Sequence, residues 1–142
     1  MDTPLILIPL LGGAALLTPL LEILVKGRSG GRMVGYISTA ALMAALLLVV
    51  YQPIASPSNL TVSSSGLFRN DLIGLFFALS VLIVALFVTI SSLDYMDGQP
   101  NQPVYYSLIL FTSLGMALLA FAVDLVMIAV AWELMSIPTY VL

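Results

Sequence analysis

The chain has 142 residues, of which 61% are hydrophobic and only 8% charged, with a mean hydropathy of +1.17. A soluble domain carries about 25% charged residues, so this sequence has too little polar surface to coat one and reads as a membrane protein. A net charge of −3 with no basic run argues against a nucleic-acid partner. The absence of Cys and His removes disulfides, thiolate metal sites, haem or iron–sulfur ligation and His-based acid–base chemistry.

Apolar runs of about 20 residues, the length that crosses a ~30 Å hydrocarbon core, set the organisation. The predicted fold class is all-α: a polytopic transmembrane bundle of about five helices, forming a single membrane domain over 1–142. The first span runs from about Thr3 to Val25. Its start, "MDTPLILIPLL", lacks the basic n-region of a signal peptide and is expected to be retained. Pro9 and Pro19 are expected to bend it, which lipid permits when neighbours satisfy the freed carbonyls. Glu22 lies four residues before Lys26, the spacing of an ordinary surface pair.

"KGRSGGR" (Lys26–Arg32) reads as a short turn with three positive charges and has no Walker A spacing. Basic residues in short loops stay in the cytoplasm, so loop 26–32 is predicted inside and the N-terminus outside. The second span, about Met33–Tyr51, is rich in small residues that permit close helix packing. The following external loop, 52–69, contains "LTVSSSGLF", a candidate short hairpin, and the sequon "NLT" at Asn59–Thr61.

The third span covers about Asn70–Leu93, with Asn70 and Asp71 suited to an N-cap. "DYMDGQPNQP" (Asp94–Pro103) should lie inside by parity, although it carries no basic residue. The fourth span, about Val104–Phe121, opens with Tyr105 and Tyr106, predicted as interfacial anchors. A tight antiparallel hairpin then leads to the fifth, Asp124–Leu142, where Asp124 suits a helix N-cap.

This last segment, "DLVMIAVAWELMSIPTYVL", contains the most informative residue. Glu133 falls about nine residues into the helix, roughly 13–14 Å deep at 1.5 Å per residue and so near the bilayer midplane. A charge there costs roughly 2.5–3.5 kcal/mol on insertion scales and is by default a functional feature. Desolvation disfavours the ionised form, and a carboxyl group brought towards neutrality can take up and release a proton. Pro138 cannot donate to the Leu134 carbonyl, so the helix is expected to open beside Glu133. Ser136 and Tyr140 follow at spacings that extend a polar stripe from Glu133. The competing reading is a protonated glutamic acid that merely hydrogen-bonds a neighbouring helix while Pro138 shapes the bundle. Trp132 reads as packing or lipid-facing.

"NDLIGLFFALSVLIVALFVTISSLDYM" resembles the helix before the proton channel of the antiporter-like subunits of respiratory complex I. "YYSLILFTSLGMALLAFAVDLVMIAVAWELMSIPTYVL" is closer still. With "ELMSIPTYVL" in register, it resembles the subunit N family of complex I-like dehydrogenases, which act on NADH and quinone or on F420H2. The resemblance is good over Asn70–Leu142 and extends to hydropathy alone before that. It implies that Glu133 matches a fifth-helix glutamate working with a seventh-helix lysine in proton translocation, and that Pro138 matches the proline after it. The chain's single lysine, Lys26, lies in a loop and offers no match for that lysine. The family fold is a larger bundle of two inverted repeats, and this sequence is expected to end inside the first, as an N-terminal portion or a split subunit.

The resemblance further implies that this chain binds no cofactor. NADH or F420, FMN or FAD, iron–sulfur clusters and a quinone or methanophenazine are expected in partner subunits. The partners implied are other membrane-arm subunits, including neighbouring antiporter-like ones, within the lipid bilayer of a prokaryotic plasma membrane. An Mrp-type cation/proton antiporter subunit shares the glutamate and is the alternative. A structural membrane subunit without its own translocation role is a third reading.

Overall fold

In lipid a backbone finds hydrogen-bond partners only within its own helix, so apolar runs of this length fold as helices. The computed structural model describes residues 3–24, 29–55, 66–99 and 101–142. The first span is one helical rod in three parts: α1 (Thr3–Leu7), a π-helical turn (Ile8–Gly12) and α2 (Gly13–Leu24). Four helices follow: α3 (Ser29–Ala55), α4 (Leu72–Tyr95), α5 (Gln102–Phe121) and α6 (Leu125–Val141). The rod, α3, α4 and α5 are long and apolar enough to cross a membrane, and α6 is a shorter apolar helix of 17 residues. The protein is an all-α, multi-pass membrane protein.

α5 is the centre of the bundle, packed against the N-terminal rod, α3, α4 and α6. Its buried side chains include Leu110, Leu114, Ala117, Leu118 and Phe121, which join Leu7, Leu11, Leu42, Ala45, Leu75 and Leu82 in one core. Most other large apolar side chains face outward, as lipid requires: Phe76, Val84 and Phe87 on α4 and Leu16 and Leu20 on α2 are all exposed.

The prolines of the first rod act differently. Pro9 lies in the π-helical turn, a wider register that accommodates its missing N–H. Pro19 sits inside α2, where it deprives the Ala15 carbonyl of its usual donor. That carbonyl accepts from Thr18 Oγ1 at 2.9 Å and from Ser107 Oγ of α5 at 2.6 Å.

Two polar clusters mark the ends of the bundle. At one end, Thr3 donates to Gln52 of α3 and lies 3.0 Å from Asn70 Oδ1, tying three segments together. There too, Arg69 N–H donates to the Phe121 carbonyl at 2.8 Å, and Val123 N–H to Leu67 at 3.1 Å. At the other end, Arg32 pairs with Asp97 at 2.8 Å, and Gln102 donates to the Met96 carbonyl. The first turn of α3 and the α4–α5 connector therefore share one end.

Several expectations change. The expected turn at Lys26–Arg32 is helical from Ser29 onward, through Gly30 and Gly31. Lys26–Arg28, and with them the Glu22–Lys26 pair, lie outside the described residues, as does the sequon. α3 runs on through Gln52 and Pro53 to Ala55. Of the candidate hairpin, residues 60–65 lie outside the described residues; Phe68 instead makes an antiparallel bridge to Ala122. Tyr106 is not an interfacial anchor. It is 1% exposed and packs with Val34 and Met96, in room left by Gly35, while Tyr105 hydrogen-bonds Ser92 Oγ at 2.8 Å.

Candidate functional site

α6 begins at a cap legible in the sequence: Asp124 Oδ2 accepts from Val126 N–H at 3.1 Å. Asp71 does the same for α4, accepting from Gly74 N–H at 2.8 Å. These carboxylates sit at helix starts, where the N-terminal dipole favours negative charge. Asp94 lies in the last turn of α4, and Asp97 in the connector. Glu133 differs from all of them: it stands in the body of an apolar helix.

Among the described helices, α6 packs against α5 alone. The residues that make this contact recur at helical spacing: Met127, Ala131, Leu134 and Pro138, with Ala131 and Pro138 fully in the interior. Glu133 falls off this stripe and is exposed, facing away from α5. Trp132, Ile137 and Tyr140 share its exposure, Tyr140 reaching 88%. Ser136 is half-buried, and its hydroxyl is directed back at the Glu133 carbonyl oxygen at 3.4 Å. Among the described residues the Glu133 carboxylate has no ion-pair partner.

Helical geometry continues through Pro138 to Val141. The ring nitrogen of Pro138 carries no hydrogen, so the Leu134 carbonyl lacks its i+4 donor. The neighbouring hydroxyls serve other acceptors: Thr139 Oγ1 donates to Met135 at 2.7 Å, and Ser136 is directed at Glu133. Residues Leu134 and Met135 lie against Gly115 of α5, a contact that periodicity does not signal. Its only sequence trace is a glycine inside an apolar helix, the pattern of close helix approach in lipid.

A second feature lies apart from Glu133. A cavity of about 370 Å³ opens between α4 and α5, lined by Val81, Val84, Ile109, Thr112, Met116 and Leu142, among others. Its lining is almost entirely apolar. Among the described residues Thr112 Oγ1 is buried there without a hydrogen-bond partner, whereas Ser113 beside it bonds back to the Ile109 carbonyl at 2.7 Å. Among the described residues no cluster of three or more Asp, Glu, Cys or His side chains forms a metal site.

No family model matches the chain. Curated proteins do. NADH-quinone oxidoreductase subunit N of Desulforamulus reducens is 39% identical over 98 residues, 68% of this chain and 21% of that protein. F(420)H(2) dehydrogenase subunit N of Methanosarcina mazei is 32% identical over 114 residues, 78% of this chain and 23% of that protein. NADH-quinone oxidoreductase subunit N 2 of Koribacter versatilis is 31% identical over 126 residues, 85% of this chain and 25% of that protein. The matched region thus spans a fifth to a quarter of these relatives.

Proposed function

Because the chain belongs to the subunit N family of complex I-like dehydrogenases, we propose that it is the N-terminal portion of a proton-translocating membrane-arm subunit. In this reading it resides in a prokaryotic plasma membrane with its N-terminus outside. Electron transfer from NADH or F420H2, through flavin and iron–sulfur centres to a quinone or methanophenazine, takes place in partner subunits. This portion handles protons, and Glu133 is the group that takes them up and releases them.

One observation carries the reading. Among the described side chains Glu133 is the only carboxylate set in the body of an apolar helix; the others cap helices or lie at their ends. An ionisable group at this depth persists when it is neutralised, paired or hydrated. Its face of α6 is open among the described helices, so a further helix can bring a basic group to it. Approach of such a group favours the ionised carboxylate, and its withdrawal favours proton uptake. One alternation between the two states takes up and releases one proton. Ser136 and Tyr140 extend the polar surface of the same helix.

The test is Glu133→Gln in the complete protein within its assembled complex. The amide keeps the size of the side chain and removes its titratable proton. Proton pumping per electron transferred should fall several-fold while the amount of assembled complex stays constant. Unchanged pumping by an intact complex refutes the role.

A further inference from the structure

Gly115 of α5 and the turn of α6 that carries Glu133 are in backbone-to-backbone contact. A Cβ placed on Gly115 would lie 2.6 Å from Met135 N, 2.9 Å from Leu134 C and 2.9 Å from Met135 Cα. All three are main-chain atoms, so no rotamer change relieves the clash. Ordinary carbon contacts begin near 3.5 Å, so α6 would have to retreat by roughly 0.9 Å. The contact falls on the two residues that follow Glu133, and among the described residues no other helix packs on α6 to resist or share the shift. The same turn has lost the Leu134 hydrogen bond to Pro138.

We propose that Gly115 is a positioning residue for proton transfer: by bringing the α6 backbone against α5, it fixes where Glu133 stands relative to the groups that exchange protons with it. The proposal rests on Glu133 as the proton-exchanging group. Proton transfer requires heavy atoms within about 2.6–3.2 Å. A displacement of about 1 Å at a reacting group lowers rates by up to 10²-fold. Gly13 provides the contrast, since a Cβ there would meet nothing within 4 Å.

The experiment uses the complete protein in its complex, reconstituted in vesicles. Gly115→Ala, Gly13→Ala and Glu133→Gln are compared for proton pumping per electron, for its pH profile, and for the infrared carboxyl band that Glu133→Gln abolishes. Gly115→Ala is expected to lower pumping about 10-fold, displace the pH profile and shift the carboxyl band, with Gly13→Ala matching the parent. If Gly115→Ala prevents assembly, Ala131→Gly is the second variant. It removes a methyl from the same α5–α6 interface without adding a clash and is expected to shift the band and lower pumping by a smaller factor.

Loss of pumping in Glu133→Gln beside parent-like pumping and band in Gly115→Ala overturns the positioning role and leaves the role of Glu133 standing. A Gly115→Ala protein that loses pumping only in proportion to lost assembly, with an unshifted band, overturns it as well. So does an unchanged Ala131→Gly protein where Gly115→Ala does not assemble. Parent-like pumping in Glu133→Gln removes the reading on which the proposal rests.

Discussion

Ser107 Oγ on α5 donates to the Ala15 carbonyl on α2 at 2.6 Å, across 92 positions of sequence. Pro19 creates the need for that bond by removing the helical donor to Ala15, and Thr18 Oγ1 supplies a second donor at 2.9 Å. A carbonyl stranded in an apolar interior is costly, so a helix break in lipid survives where neighbouring hydroxyls repair it. Ser107→Ala should therefore cost about 0.6 kcal/mol, the mean for hydrogen bonds between membrane helices. Adding Thr18→Val, which strands the carbonyl completely, should raise the cost to about 1–3 kcal/mol. In a Pro19→Ala background, where the main-chain donor returns, Ser107→Ala should cost almost nothing. Unfolding in detergent mixtures measures all three, and equal costs in the two backgrounds would show that the Ser107 bond is independent of Pro19.

The two acidic caps and the buried Asn70 beside one of them separate in energy. Asp71→Ala removes the cap bond to Gly74 N–H and a 3.7 Å ion pair with exposed Arg69, and should cost about 1 kcal/mol. Asn70 is 1% exposed and joined to Thr3 at the meeting point of α1, α3 and α4. Asn70→Leu leaves buried polar groups without their partner and should cost about 1–3 kcal/mol. The order of the two midpoints in a thermal melt checks this, and a larger loss in Asp71→Ala contradicts it.

These examples show what the sequence makes legible. Apolar run length fixes the helices, because the membrane sets their minimum, and Asp71 and Asp124 announce their caps by residue type and position. Pro19 announces a freed carbonyl. That Ser107 satisfies it is not legible, since nothing in a one-dimensional pattern links positions 15 and 107. Tyr106 misleads for the same reason: an aromatic at a span end reads as an interfacial anchor, and only the room beside Gly35 makes it a core residue. Glu133 is legible by its chemistry, but its side of α6 is not. Apolar residues occupy every face of α6, so it takes the packing of Ala131, Leu134 and Pro138 on α5 to show that the carboxylate points away from it.

The Arg32–Asp97 pair bears on topology more than on stability. The two side chains are 61% and 41% exposed, and such a pair contributes about 0–1 kcal/mol, less at high salt. Arg32→Gln should leave the melting temperature nearly unchanged. Because the pair joins the start of α3 to the α4–α5 connector, a reporter inserted after Gln99 should share the compartment of one inserted in loop 26–32, the cytoplasm on the basic-residue rule. Opposite compartments for the two insertions contradict the arrangement. Neutralising Lys26, Arg28 and Arg32 together should weaken the preference and give a mixed population.

Pro138 and Glu133 make the last prediction. Pro138→Ala restores an N–H that can reach the Leu134 carbonyl and so stiffens the turn after Glu133. It also removes ring atoms from a buried position against α5. The two effects oppose each other in stability, and the midpoint of unfolding should move little. Function should not be balanced in this way. If the freed carbonyl draws water or a hydroxyl to the carboxylate, restoring its bond dries the site, and pumping per electron should fall several-fold with assembly intact. Glu133→Asp distinguishes distance from dryness: it keeps the acid and withdraws it by one methylene, so it should slow proton transfer without abolishing its pH dependence. Pumping at the parent level in Pro138→Ala would assign the proline to the shape of the bundle alone, with Glu133 acting without it.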